Sequence, residues 1–275
     1  MSAPEILVTG GFDDLRPRQV RLLQEASRLG RVHVLLWSDN VICAVERRAP
    51  RFSEQERWYL IQALRYVDAV TLLKEFSADD PLTLLETSPA DVWVVDDGSD
   101  RPQWQEYSRS RGIEYRVIHE EELQGFPLPE FRTESASSTR KRVIVTGCYD
   151  WFHSGHVRFF EEVATLGDLY AVIGHDANIR MLKGDGHPMF PQDVRRYMVN
   201  AVRYVSQTMI SKGEGWMDAA PQIAQIRPDI YAVNEDGDRA EKRAFCEANG
   251  LQYVVLKRIP RAGLPPRQST DFRGY

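Results

Sequence analysis

The chain has 275 residues, 43% hydrophobic and 27% charged, which excludes a disordered or fibrous class and leaves room for one large or two small globular domains. It carries no apolar run long enough to span a bilayer and no basic-then-apolar leader, so neither a membrane partner nor export is expected. The net charge of -5 divides unevenly, -8 over residues 1–137 and +3 over residues 138–275, so an anionic ligand is expected on the second half. No polybasic stripe suggests a nucleic-acid partner. Cys43, Cys148 and Cys246 lie far apart and form no CxxC pair, which fits a reducing cytoplasm.

In chain order, residues 7–39 (LVTGGFDDLRPRQVRLLQEASRLGRVHVLLWSD) read as an apolar strand, a glycine turn, an amphipathic helix and a second strand. The same pattern returns without a gap at 144–176, identical at 10 of 33 positions. Residues 52–68 then match 190–206 at 7 of 17 positions, 91–101 match 229–239 at 4 of 11, and 111–118 fall on 249–256. Four matched blocks in one order predict a tandem duplication. Between the copies, QGFPLPEFRTESASSTRKR (124–142) has prolines, a Ser/Thr cluster and no apolar period, as a linker does. The predicted domains are 1–130 and 139–275.

In the second copy, 142–146 is a predicted buried strand. A glycine turn follows, then a helix with Val157, Phe160, Val163 and Ala164 on one face. Residues 169–174 form the next strand. Residues 194–205 read as a helix with Tyr197, Val202 and Val205 roughly in phase. A helix at 219–225, a strand at 230–233, a helix at 239–249 and a strand at 253–256 complete the copy. Strands alternating with helices imply an α/β fold, a parallel sheet with helices on both faces. Such sheets bind ligands beyond the carboxyl ends of their strands, where strand order reverses.

The candidate chemistry lies in HSGH (153–156), between a strand and a helix. A helix N-terminus has unpaired N–H groups and the positive end of the dipole, so it attracts phosphate. Gly155 lets the backbone approach a ligand closely. His153 and His156 are three apart and can both donate to a phosphoryl group as charge develops. Two polar residues capping a helix are the plainer alternative for these four residues alone.

More of a pattern surrounds them. Gly147, Tyr149, Asp150, His153, Gly155, His156, Gly167 and Asp168 together resemble the HxGH signature of the nucleotidyltransferase superfamily, in particular its cytidylyltransferases. Lys183-Gly184, FPQDVRRYMVNAVRYV with Arg195, and RQSTDFR (267–273) resemble further elements of that family in the same order. The resemblance implies two tandem Rossmann-like (HUP-type) parallel-sheet domains. It implies an enzyme that transfers CMP from CTP to a small phosphorylated alcohol, polyol or sugar and releases pyrophosphate, with an adenylyltransferase of the same fold using ATP as the rival. His153, His156 and Lys183 would be catalytic. Gly147, Tyr149, Asp150, Gly155, Asn234, Arg267, Ser269, Thr270 and Arg273 would bind nucleotide, and Arg195 the acceptor phosphate. Mg²⁺ would ride on phosphate oxygens rather than in a protein cage. Arg195 keeps its counterpart Arg57 in the first copy, which also suits a structural role. Two departures, Gln268 ahead of Ser269-Thr270 and VNEDGD (233–238) after a strand, leave base and acceptor open, and a non-catalytic nucleotide-binding regulator remains the rival outside enzymes. Class I aminoacyl-tRNA synthetases share a similar loop, but no KMSKS-like stretch is present.

The first copy replaces the four residues HSGH by Arg16, Pro17, Arg18 and Gln19. It is expected to be catalytically dead, either a scaffold or an anion-binding regulatory site. The arrangement resembles the two-domain ethanolamine-phosphate cytidylyltransferases. Relatives commonly pair through the sheet edge near this site, so a homodimer is one implied assembly.

Overall fold

The computed structural model describes residues 3–75, 90–128 and 139–269. The chain divides into two compact units, Met1–Phe126 and Pro127–Tyr275. In the first, the elements are β1 (Glu5–Gly10), α1 (Pro17–Ser27), β2 (Arg31–Trp37), α2 (Asp39–Glu46), α3 (Glu54–Gln62), β3 (Ala69–Leu73), β4 (Val92–Asp96), α4 (Pro102–Arg111) and β5 (Glu114–Ile118). In the second they are β6 (Arg142–Gly147), α5 (Ser154–Val163), β7 (Asp168–Ile173), α6 (Asp176–Lys183), α7 (Gln192–Asn200), β8 (Val205–Ile210), α8 (Ala220–Ile226), β9 (Ile230–Asn234), α9 (Ala240–Ala248) and β10 (Gln252–Leu256). Among the described residues no helix is long and apolar enough to cross a membrane. Cys43, Cys148 and Cys246 are free.

Each unit holds one five-stranded parallel sheet, ordered β3-β2-β1-β4-β5 and β10-β9-β6-β7-β8. The two orders are the same when strands are counted from the start of each unit. Parallel strands covered on both faces read as apolar runs, and Val143, Ile144 and Val145 of β6 are fully buried. Helix α5 presents Val157, Phe160 and Val163, at the spacing of one helical face, and all three are fully buried. Strand order reverses between β6 and β9, so the crevice beyond their carboxyl ends is where a ligand is expected.

Two glycines shared by the repeats show why sequence identity survives where it does. A Cβ at Gly30 would lie 2.2 Å from the Pro4 carbonyl oxygen, and one at Gly167 2.1 Å from that of Lys141. In both units this position passes directly over the start of the unit's first strand.

The structure corrects one predicted element. The helix expected over 194–205 ends at Asn200, and Val205–Ile210 is a fifth strand, paired with β7 at the sheet edge. Val202 and Val205 fit a helical phase, but a short apolar run is compatible with either period. Pairing with β7 satisfies the backbone of VSQTMI in a way that a longer helix would not.

Both units are built around a buried arginine. Arg195, 1% exposed, donates from Nε to the Phe190 carbonyl (2.9 Å), from Nη1 to the Cys148 carbonyl (2.6 Å), and from Nη2 to the Gly174 carbonyl (2.8 Å) and Asp176 Oδ1 (2.7 Å). Arg57, fully buried, makes the same set with Phe52, Gly11, Trp37 and Asp39 at 2.6–3.0 Å. A guanidinium removed from water must keep its donors occupied. The expected acceptor role of Arg195 is therefore corrected. Its donors are engaged inside the fold, and it ties three loops at the carboxyl edge of the sheet. Arg57→Met leaves four acceptors without their donor and is expected to destabilise the protein by about 3–5 kcal/mol in urea unfolding. A change under about 1 kcal/mol would contradict the hub role.

Candidate functional site

The turn after β6 shapes the site before any ligand is considered. Tyr149 has φ 52°, in the left-handed region, and Phe12 at the matching place in the first unit has φ 47°. This backbone folds the ring back over the glycine two residues earlier. A Cβ at Gly147 would lie 2.7 Å from the Tyr149 ring, so the Gly-x-aromatic spacing is a packing requirement. Asp150 then anchors the turn. Its carboxylate accepts from the backbone N–H of Met189 (2.9 and 2.8 Å) and of Phe190 (3.0 Å), and His187 Nδ1 lies 3.7 Å away. Asp13 accepts from Arg51 and Phe52 in the same way. Asp150 borders the cavity described below, but its charge serves the loop. It stands at the cavity edge with its carboxylate engaged by the loop backbone.

His153 caps α5. Its Nδ1 accepts from the Gly155 N–H at 3.1 Å, which leaves the proton of a neutral ring on Nε2. The His153 and His156 rings stack with centroids 3.9 Å apart and planes 20° apart, and Tyr149 meets His156 edge-on at 5.5 Å. Among the described residues the Nδ1 of His156, which is buried, has no hydrogen-bond partner. A Cβ at Gly155 would lie 2.9 Å from the His153 ring, so no larger residue fits between the histidines and the helix start.

Burial pushes His156 down to about 3, with Arg258 and Lys183 adding to the shift. Burial also holds His153 well below the ordinary histidine range, assisted by His156, Arg258 and Arg267. Both rings are therefore neutral near pH 7. They act as hydrogen-bond donors, and the positive charge belongs to their neighbours.

These residues open on a cavity of about 410 Å³ that Gly147, Tyr149, His153, Gly155 and His156 line from the β6 turn and α5. Lys183 reaches it from the end of α6, Asn234 from the end of β9, and Ser269 from the C-terminal segment. Ser269 Oγ donates to the Trp151 carbonyl at 3.3 Å. Arg267 lines an adjoining pocket of about 270 Å³, shared with Gly155 and Asn234. Thr270 and Arg273 lie outside the described residues. The structure thus brings together His153, His156, Lys183, Asn234 and Ser269 from four separate segments.

Several lining residues escaped the sequence reading. Arg258, just past β10, donates to Asp236 (2.6 Å) and to the Arg267 carbonyl (2.6 Å), and so holds the C-terminal segment against the strand ends. Trp216, Asp218 and Lys242 also line the larger cavity. Position was the available signal for Arg258, since it directly follows a strand whose carboxyl end faces the site. Lys242 lies one helical turn before the buried Cys246, on a face where only core residues are expected.

The two depressed histidines have a measurable consequence. Unfolded histidines take up protons near pH 6.5, whereas folded His156 does so only near pH 3. Between those values the unfolded state binds more protons, so stability falls as pH drops. Replacing His156 by Gln should shrink the stability loss between pH 6.5 and pH 5 by about 2 kcal/mol in urea unfolding. Equal losses in the two proteins would mean that His156 titrates normally.

Comparison with known proteins agrees with this geometry. The model of the family described as cytidylyltransferase-like matches residues 144–257, within the second unit. The FAD synthase of Pyrococcus horikoshii is 36% identical over 125 residues, covering 44% of this chain and 82% of that protein. The "Bifunctional protein HldE" of Pelobacter propionicus is 30% identical over 145 residues, covering 46% of this chain and 29% of that protein. Among solved structures, a lipopolysaccharide core biosynthesis protein from Thermoplasma volcanium is 22% identical, with a TM-score of 0.36 over 44% of this chain and 98% of that one. The second unit carries the matched sequence, and through it the chain belongs to the cytidylyltransferase-like family of nucleotidyltransferases.

Proposed function

We propose that the second unit transfers a nucleoside monophosphate from CTP or ATP to a small phosphorylated alcohol, polyol or sugar. The observation that carries the reading is the stacked pair of neutral imidazoles at the N-terminus of α5, facing a cavity at the switch point of the sheet. The family description supports CTP. The FAD synthase relatives support ATP as the second reading.

An oxygen of the acceptor phosphate attacks the α-phosphorus. The bond from that phosphorus to the oxygen bridging to the β-phosphate breaks, and pyrophosphate leaves with the electron pair. Such a transfer needs positioning and charge stabilisation more than a protein nucleophile. His153 donates from Nε2, and His156 from its cavity-facing nitrogen, to the phosphoryl oxygens as charge develops. Gly155 admits the phosphate chain to the N–H groups of the first helical turn. Lys183 and Arg258 supply the positive charge that the rings lack. Ser269 and Arg267 hold the nucleotide from the C-terminal segment, beside Asn234. Among the described residues no group of three or more His, Cys, Asp or Glu is placed to hold a metal ion. Mg²⁺ carried on the phosphate oxygens would supply charge neutralisation when bound.

The first unit is read as a silent scaffold. Arg18, at the place of Gly155, pairs with Asp96 and Glu120, and Arg16, at the place of His153, pairs with Asp14 at 2.7 Å. The Gln19 side chain, at the place of His156, accepts from the Arg16 N–H at 3.0 Å. Carboxylates occupy the surroundings that a phosphate would need, which disfavours the regulatory-anion reading.

The test is pyrophosphate release, counted as phosphate after pyrophosphatase, with CTP or ATP, Mg²⁺ and a panel of phosphomonoesters. Turnover should depend on one nucleotide and fall about 10²–10³-fold in His156→Ala. Calorimetry should find one nucleotide site per chain. Turnover that survives the substitution, or two equal sites, would sink this assignment of roles.

A further inference from the structure

The larger cavity also holds a buried charge that the roles proposed above leave unused. Lys242, 7% exposed, sits on α9 with its ammonium donating to the Gly237 carbonyl at 3.3 Å and lying 5.8 Å from the centre of the Tyr231 ring. Among the described residues no carboxylate comes within 4.0 Å of it. Burial lowers its pKa, and Asp218 is the strongest counter-influence. A buried ammonium without a paired carboxylate costs folding free energy. The first unit avoids this cost. The place of Lys242 there is taken by Trp104, which stacks on Trp93 at 5.1 Å, and Trp93 stands where Tyr231 does. The second unit retains a charge where an apolar solution exists in the same chain.

Asp218, 8% exposed, faces the same space. Its Oδ2 lies 3.4 Å from where a Cβ on Gly174 would stand, just past the end of β7. Lys242 lies past β9. The Thr146 hydroxyl on the central strand β6 and the Tyr231 hydroxyl on the neighbouring β9 are hydrogen-bonded at 2.6 Å. Trp216 stands at the rim, 39% exposed, with the Arg239 guanidinium 4.9 Å from its ring centre. Asn178 fixes that rim by exchanging hydrogen bonds with the Gly215 backbone at 3.1 and 2.7 Å.

A cavity lined by both a carboxylate and an ammonium selects by charge. A cationic group meets Lys242 and an anionic group meets Asp218, each at a cost. A hydroxyl suits both groups, because it donates to a carboxylate and accepts from an ammonium, and adjacent hydroxyls can do so together. Resting on the nucleotidyltransferase reading above, we propose that Asp218 and Lys242 recognise hydroxyl groups of the acceptor, which is a polyol or sugar phosphate rather than an amino-alcohol phosphate.

The test compares glycerol, ribitol and hexose phosphates with ethanolamine phosphate, choline phosphate and flavin mononucleotide, using pyrophosphate release and calorimetry of each acceptor alone. Wild type should prefer a hydroxylated acceptor. Asp218→Asn and Lys242→Met should raise its KM and Kd about 10- to 100-fold, with kcat changed much less. Lys242→Arg should recover part of the loss. Melting temperatures near wild type would show that the variants are folded. Preference for an amino-alcohol phosphate or the flavin, or a KM unmoved by both substitutions, would overturn the proposal while leaving the transferase reading intact. If no acceptor yields pyrophosphate, the transferase reading fails. Calorimetry then decides the proposal alone: polyol-phosphate binding lost in Asp218→Asn supports it, and no binding overturns it.

Discussion

One buried guanidinium fixes the geometry on which the site depends. Arg195 grips the turn after β6, the end of β7 and the loop before α7, each through a backbone carbonyl. Those three segments define the carboxyl edge of the sheet, where irregular backbone would otherwise be free to move. The arginine is costly to bury, and its set of acceptors offsets that cost only if all are present together. The edge is therefore specified cooperatively. The first unit holds the same network around Arg57 without the histidines. The network belongs to the architecture, and the chemistry is added to it.

The added chemistry consists of small changes at fixed positions. Gly155 in place of Arg18 opens the helix start. His153 in place of Arg16 exchanges a charged, paired side chain for a neutral ring that caps the helix through its own nitrogen. His156 in place of Gln19 completes the stack. None of these changes needs a different strand order, and both units have the same one. The candidate site and the fold are thus separable in this chain, as expected where function is carried by a site grafted on a common scaffold.

The sequence was most informative where the backbone leaves few choices. Gly147, Gly155 and Gly167 stand where a Cβ has no room, and the HSGH loop begins a helix as its placement suggested. Alternating strands and helices gave the α/β class because parallel strands and their crossovers have distinct periods. The edge strand β8 was misread because six residues on the rim of a sheet carry too little periodicity to outvote a neighbouring helix. Arg195 could not be assigned from its motif. Whether an arginine faces ligand or core depends on carbonyls contributed by distant loops. Asp218 and Lys242 were invisible for a related reason. A charged residue in a sequence reads as surface, and only tertiary packing reveals that it is enclosed.

The neutrality of the two histidines separates two kinds of electrostatics within one cavity. The rings act through dipoles in a site shielded from solvent, and mobile ions do little to such interactions. Lys183, exposed at the end of α6, would act in its proposed role through a full charge in water, where interactions beyond roughly 8 Å are largely screened at physiological ionic strength. Salt should therefore weaken the capture of the triphosphate more than its conversion. The encounter would be tuned by ionic conditions, while the bond-making step would be insulated from them.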